Sequence, residues 1–193
     1  MSAHRSDALF TLGGSTFVTI LFLLFRLVTD ARHQPQPPKP TPAFEIGTKT
    51  GIDGVYKVVS ISDGDTIDVL IDERTLRLRF AEIDTPEKGQ PFGKNAKQGL
   101  SDLIAGRNVR VVVDDTDRYG RAIAHVYAGD VHVNKWMVQQ GLAWHYKAFS
   151  DSEELALAEN EARQARRGLW SDHRHIEPWK WRRLSKVERN RYR

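Results

Sequence analysis

The 193-residue sequence contains no cysteine. That absence excludes a disulfide framework and any thiolate metal site, so a bound metal has only oxygen or histidine to hold it. The seven histidines are scattered, with no spacing typical of a zinc site. Long apolar runs are missing with one exception, Ala8–Phe25, whose 18 residues carry no charge and just suffice to cross a bilayer. A general acidic surplus is also missing, since the formal net charge is +4, yet the basic charge sits at the ends. Residues 174–193 carry eight Lys/Arg against two Asp/Glu, and residues 1–50 carry five against three. The middle, 51–173, holds sixteen against twenty. A polyanion-binding surface inferred from overall charge would therefore be placed on the wrong part of the chain.

What is present divides into four segments. Residues 1–29 contain the apolar run, preceded by Arg5 and closed by Arg26, and read as an N-terminal hydrophobic helix. It is either an uncleaved membrane anchor or a cleaved signal, and Thr29-Asp30-Ala31 is a weak cleavage candidate. Residues 30–50 hold five prolines between Gln34 and Pro42 and form an extended, semi-rigid spacer. Residues 51–173 carry the folded domain, and residues 174–193 a basic, aromatic tail. An anchor followed by a stiff spacer points to a head facing the periplasm or exterior, or to a secreted protein if the first segment is removed. The tail is open to three readings: a nucleic-acid-binding arm, a membrane-surface patch or a solvated end.

Within 51–173, "YKVVSI", "TIDVLI" and "LRLRFAEI" alternate as three consecutive strands. "PFGKNAKQGLSDLIAG" repeats apolar residues at helical spacing, with Gly106 as its stop. "NVRVVVDD" and "RAIAHVYA" are two further strands, followed by helices in "VNKWMVQQG" and "SDSEELALAENEARQARRG". Five short strands with a helix between the third and fourth is the order of an OB-fold barrel. The expected class is mostly β with three helices. Trp136 and Trp170 fall on apolar faces and read as core.

Three polar clusters carry the candidate chemistry. "SDGDTI" sets Asp63 and Asp65 astride Gly64, "RFAEIDTPE" holds Arg79, Asp84, Thr85 and Glu87, and "DDTDRYGRA" holds Asp117, Arg118, Tyr119 and Arg121. Each alone reads as an ordinary turn or helix entry. Together, Asp65, Asp84, the backbone around Thr85 and Glu87 offer an all-oxygen environment suited to Ca²⁺ or Mg²⁺. Arg79 and Arg121 supply forked donors for a phosphate. Carboxylates, a cation and guanidiniums in one pocket are what phosphodiester hydrolysis requires.

From about Val55 to Asp172 the chain resembles the staphylococcal nuclease (thermonuclease) family. The matching pieces are "SDGDTI", "LRLRFAEIDTPE", "RYGRAIAHVY", "VNKWMVQQGLAW" and "ARRGLWSD", in the family's order and spacing. The resemblance implies a Ca²⁺-dependent endonuclease acting on DNA and RNA, with Mg²⁺ or another divalent cation as alternatives. By the same resemblance, Asp65 and Asp84 match calcium-binding carboxylates and Thr85 the residue lending its carbonyl. Glu87 matches the general base or water-organising group, and Arg79 and Arg121 the phosphate-binding arginines. Asp63 matches a secondary acidic residue, and Arg118 and Tyr119 stand in the turn beside the terminal phosphate. The stretch after "QGLAW" is shorter than in the family type, so base stacking falls to Trp144 or Tyr146. The implied partners are a nucleic acid and, through the first segment, a membrane. No obligate protein partner is evident, and a monomer is expected. Two other classes compete: a binding module that has lost catalysis, and a structural envelope protein. The first loses the acidic pair or the arginines, whereas all six matched positions here keep the active type; the second leaves those six unexplained.

Overall fold

A computed structural model describes residues 52–192. The apolar run and the proline-rich spacer lie outside the described residues. Strands β1 (Gly54–Ile61), β2 (Thr66–Ile71) and β3 (Arg74–Phe80) form an antiparallel meander, and β4 (Ile83–Asp84) follows at once. Helix α1 (Gly93–Ile104) leads to β5 (Asn108–Thr116) and β6 (Ala122–Ala128). Short β7 (Val131–His132) runs into α2 (Val133–Gln139), then β8 (Trp144–His145) and α3 (Glu153–Gln164). The sheet order is β3-β2-β1-β5-β6-β7, and a parallel pairing of β3 with β6 closes five strands into the barrel expected from the element order.

The reasons are local and legible. Between β2 and β3, Asp72 and Glu73 both take positive φ, 45° and 64°, the two-residue hairpin geometry whose twist suits antiparallel strands. Inward residues Ile67, Val69, Leu78, Phe80, Val111 and Val126 fill the barrel, and α1 caps it with Ala96, Leu100 and Ile104. Helix α3 opens with Ser152, whose hydroxyl accepts from the Leu155 amide at 3.3 Å. Gly64 does not have a left-handed backbone. It is small because a Cβ there would come within 2.8 Å of the Ala96 Cβ and 2.9 Å of the Thr85 hydroxyl. That close approach presses the β1–β2 turn against the segment carrying Thr85.

One buried polar residue braces this corner. The Asn134 amide oxygen accepts from the Val126 N–H at 3.0 Å, and its nitrogen donates to the carbonyls of Ala81 and Ala124 at 3.0 and 3.1 Å. It ties α2 to β6 and to the chain leaving β3, and every hydrogen-bonding group on it is engaged.

A second apolar cluster, Trp144, Ala162, Leu169 and Trp170, sits beside the barrel with Phe92 and Trp179 packed against it. Two expectations change here. Residues 174–192 are not an appendage: Ile176, Pro178 and Trp181 are buried, and the Gln90 side-chain amide donates to the Ile176 carbonyl at 2.7 Å. The tail is tied to Gln90 and, through Trp179, to the second apolar cluster, so a boundary at 173/174 divides a packed unit. The segment forms α4 (Pro178–Trp181) and α5 (Lys186–Arg189), the latter closed by a reciprocal Ser185–Glu188 cap. Trp144 has no free face either. It is 4% exposed, with Trp170, Trp179 and His175 around its ring. It is a packing residue and is closed to base stacking.

Candidate active site

The start of β2, the end of β3 and β4 converge because the meander brings Thr66 opposite Arg79. The Phe80 amide donates to the Asp65 carbonyl at 2.8 Å, which locks the two strand ends together. The Asp65 side chain then points at the chain after β4. Its Oδ2 accepts from the Thr85 amide at 2.7 Å and from the Thr85 hydroxyl at 2.6 Å. Arg79 bridges the two aspartates, with Nη1 2.9 Å from Asp65 Oδ2 and Nη2 2.9 Å from Asp84 Oδ1. The side chains of Asp65 and Asp84 are only 7% and 2% exposed.

Burial raises the Asp84 carboxyl above its ordinary range, even though Arg182 and Arg79 both pull it down. Asp63 is pushed up to about 6, first by burial and then by the negative charge of Asp65. Its carboxylate also accepts from the Asp65 amide at 3.1 Å, so it shapes the turn that aims Asp65. Glu87 stands further out, its side chain 37% exposed, and its amide donates to the Gln90 side chain at 2.9 Å.

Arg121 does not touch this group. Its Nε donates to Asp117 Oδ2 at 2.7 Å within the β5–β6 turn, and Asp117 also accepts from the Tyr119 and Arg121 amides. Burial would raise Asp117, but the bonds from Arg121 and Tyr119 outweigh it and hold its carboxyl below the usual range. Arg79 and Arg121 nevertheless line one open cleft of about 800 Å³, with Asp65, Asp84 and Glu87 at its floor and side. Tyr119 is 71% exposed at the rim, with the Arg118 guanidinium 5.0 Å from its ring centre. Tyr146 also lines the cleft, one face stacked on Trp179 at 5.0 Å and 7°.

This geometry meets a family in sequence space. The family described as Staphylococcal nuclease homologue matches residues 77–172. The micrococcal nuclease of Shigella flexneri is 46% identical over 145 residues, which cover 69% of this chain and 83% of that protein. The chain belongs to the staphylococcal nuclease family. Protein ParB of Escherichia coli is 47% identical over 146 residues, covering 69% of this chain and 82% of the relative. The staphylococcal-like nuclease CAN1 of Arabidopsis thaliana is 38% identical over 134 residues, 69% of this chain but 40% of that longer protein. The family match, residues 77–172, spans every candidate residue from Arg79 to Arg121.

The donor set of this staphylococcal nuclease homologue fits a hard divalent cation. Two buried carboxylates already converge on a single shared cation, the Arg79 guanidinium, and no nitrogen or sulfur ligand stands with them. Among the described residues, no three His, Asp or Glu side chains form a cage by themselves. Backbone oxygen, water or substrate would have to complete the coordination.

Sequence reasoning missed two residues of this neighbourhood. Asn134 lies within "VNKWMVQQGLAW", where its polarity at a buried helical position was the available signal. Arg182 was hidden in a run of basic residues, and nothing in that run distinguishes it from its neighbours.

Proposed function

We propose that the protein is a divalent-metal-dependent endonuclease of the thermonuclease type, hydrolysing phosphodiester bonds in DNA, RNA or both. Ca²⁺ is the favoured cation, with Mg²⁺ the alternative. The observation that carries this reading is the buried Asp65–Arg79–Asp84 arrangement at the floor of an open cleft, with Glu87 beside it. Asp65, Asp84 and the Thr85 carbonyl would hold the cation, which would supply charge neutralisation at the scissile phosphate. Glu87 accepts or orients a proton of the attacking water. Arg79 donates to a non-bridging phosphate oxygen as charge accumulates there. Arg121, preset by Asp117, offers a second fork to the same cleft. Arg118 and Tyr119 at the rim meet the backbone or leaving end of the strand.

The openness of the cleft favours an extended polymer over a small ester. The test is cleavage of single- and double-stranded DNA and RNA with Ca²⁺, with Mg²⁺ and with chelator. Full activity in chelator would overturn the metal reading, and no cleavage of any of the four substrates would overturn the nuclease reading. The uncharged Ala8–Phe25 run and the proline spacer support a head held outside the cytoplasm. Protease accessibility in intact cells tests this, and a full-length protein recovered soluble from cytoplasm would refute it.

A further inference from the structure

The C-terminal segment carries a further guanidinium, Arg182, into the cleft already lined by Arg79, Arg118 and Arg121, from beyond the residues 77–172 that match the family. It is delivered from a fixed base. Pro178 and Trp181 are buried, Trp179 lies flat on Tyr146, and the Arg189 side chain donates to the Trp181 and Arg182 carbonyls at 3.3 and 3.2 Å. Directly after α4, Arg182 reaches Asp84 with both terminal nitrogens, Nη2 to Oδ2 at 2.8 Å and Nη1 to Oδ1 at 3.3 Å. The same Nη1 donates to Glu87 Oε1. One planar fork thus spans the two carboxylates, which would otherwise repel each other. Glu87 has no other side-chain partner among the described residues.

We propose that Arg182 is a positioning residue of this nuclease: it holds the Glu87 carboxylate in place against Asp84 at the cleft. The proposal rests on reading Glu87 as the group that orients water. Two consequences follow, of opposite sign. Without Arg182 the Glu87 carboxylate is released to its other rotamers, so turnover falls. Arg182 is also a positive charge bound to Asp84, where it opposes a second cation, so its loss raises divalent-metal affinity. A residue that merely propped up the fold would weaken both when removed.

The experiment uses the full-length protein and two variants, Arg182→Ala and Arg182→Lys. Steady-state cleavage of single-stranded DNA at saturating Ca²⁺ is measured beside Ca²⁺ affinity by titration calorimetry. For Arg182→Ala, kcat should fall about ten- to a hundredfold with KM little changed. Ca²⁺ binding should tighten roughly three- to tenfold, the modest value reflecting a side chain 43% exposed. Guanidinium ion added at non-denaturing concentration should restore part of the lost kcat. Arg182→Lys keeps the charge but cannot span both carboxylates, so it should lower kcat while leaving Ca²⁺ affinity near wild type, and it carries the test if the alanine variant does not fold. Wild-type kcat in either folded variant, or weakened Ca²⁺ binding in Arg182→Ala, would overturn the proposal. Failure of the metal reading is separable: wild-type protein would then cleave in chelator, and the kcat and guanidinium measurements alone would decide the role of Arg182.

Discussion

Replacing Arg79 by methionine keeps the aliphatic stem and removes the fork, which isolates the bridge between the two buried aspartates. Asp65 loses its 2.9 Å contact but retains the amide and hydroxyl of Thr85. Asp84 loses its 2.9 Å contact but retains Arg182. Removing one member of a buried ion pair costs about 3–5 kcal/mol when the remaining charge is left alone. The surviving hydrogen bonds place this case at the low end, about 3 kcal/mol. For a domain of this size that lowers the unfolding midpoint by about 6–12 °C. If the site holds a divalent cation, as proposed, that cation should recover more stability in the variant than in wild type, because a ligand of the folded state would replace the missing positive charge. The assay is thermal unfolding followed by circular dichroism, in chelator and again with millimolar Ca²⁺. A variant that melts within about 2 °C of wild type in chelator would refute the claim that Arg79 neutralises the pair. Equal Ca²⁺-induced shifts in the two proteins would refute the claim that a cation substitutes for it.

Three further outcomes are expected. Glu87→Gln keeps the shape and removes the charge, so kcat at saturating metal should fall on the order of 10²–10⁴ with the melting curve intact; wild-type turnover in a folded variant would remove Glu87 from the mechanism. Asn134→Ala leaves the Val126 N–H and the Ala81 carbonyl without their side-chain partner and should cost about 2–3 kcal/mol in urea unfolding, an expectation that a change under about 0.5 kcal/mol would contradict. His132 is held below its ordinary value of 6.5 by burial and then by His125, whose Nδ1 lies 3.2 Å from its Nε2. The stability that depends on an uncharged His132 is fully present above about pH 6.5 and is lost as pH falls below that value and through the lower value His132 has in the folded protein, so His132→Gln should flatten this part of the stability curve, and unchanged curves would refute the assignment.

The barrel was legible because its causes are short-range. Alternation in "TIDVLI" and "LRLRFAEI" marks strands, and the structure shows that a two-residue hairpin at Asp72-Glu73 sets the β2–β3 register. The helices announced themselves by spacing, by Ser152 and by the stops at Gly106 and Gly141, whereas α3 ends at Gln164 with Arg166, before Gly168, taking the left-handed conformation. The candidate residues Asp65, Arg79, Asp84 and Glu87 were legible as types at a spacing, since each sits at a strand end or the turn beyond it.

The sequence could not state which charges meet. Arg79 and Arg121 look alike in one dimension, yet closure of the barrel seats Arg79 between two aspartates and leaves Arg121 paired with Asp117. Trp144 and Tyr146 are two residues apart, and only the packing of α3 and the tail decides that one is enclosed while the other lines the cleft. Arg182 shows the limit most clearly: 98 residues separate it from Asp84. A basic residue among basic residues carries no mark of its partner, because a salt bridge at that range depends on where a hydrophobic anchor places the chain. Sequence alone determined the five barrel strands, helices α1 to α3 and the kinds of chemistry available, but not α4 and α5. Burial of Ile176, Pro178 and Trp181, with Trp179 packed on the Trp144 cluster, decided which arginine of the tail reaches Asp84 and Glu87.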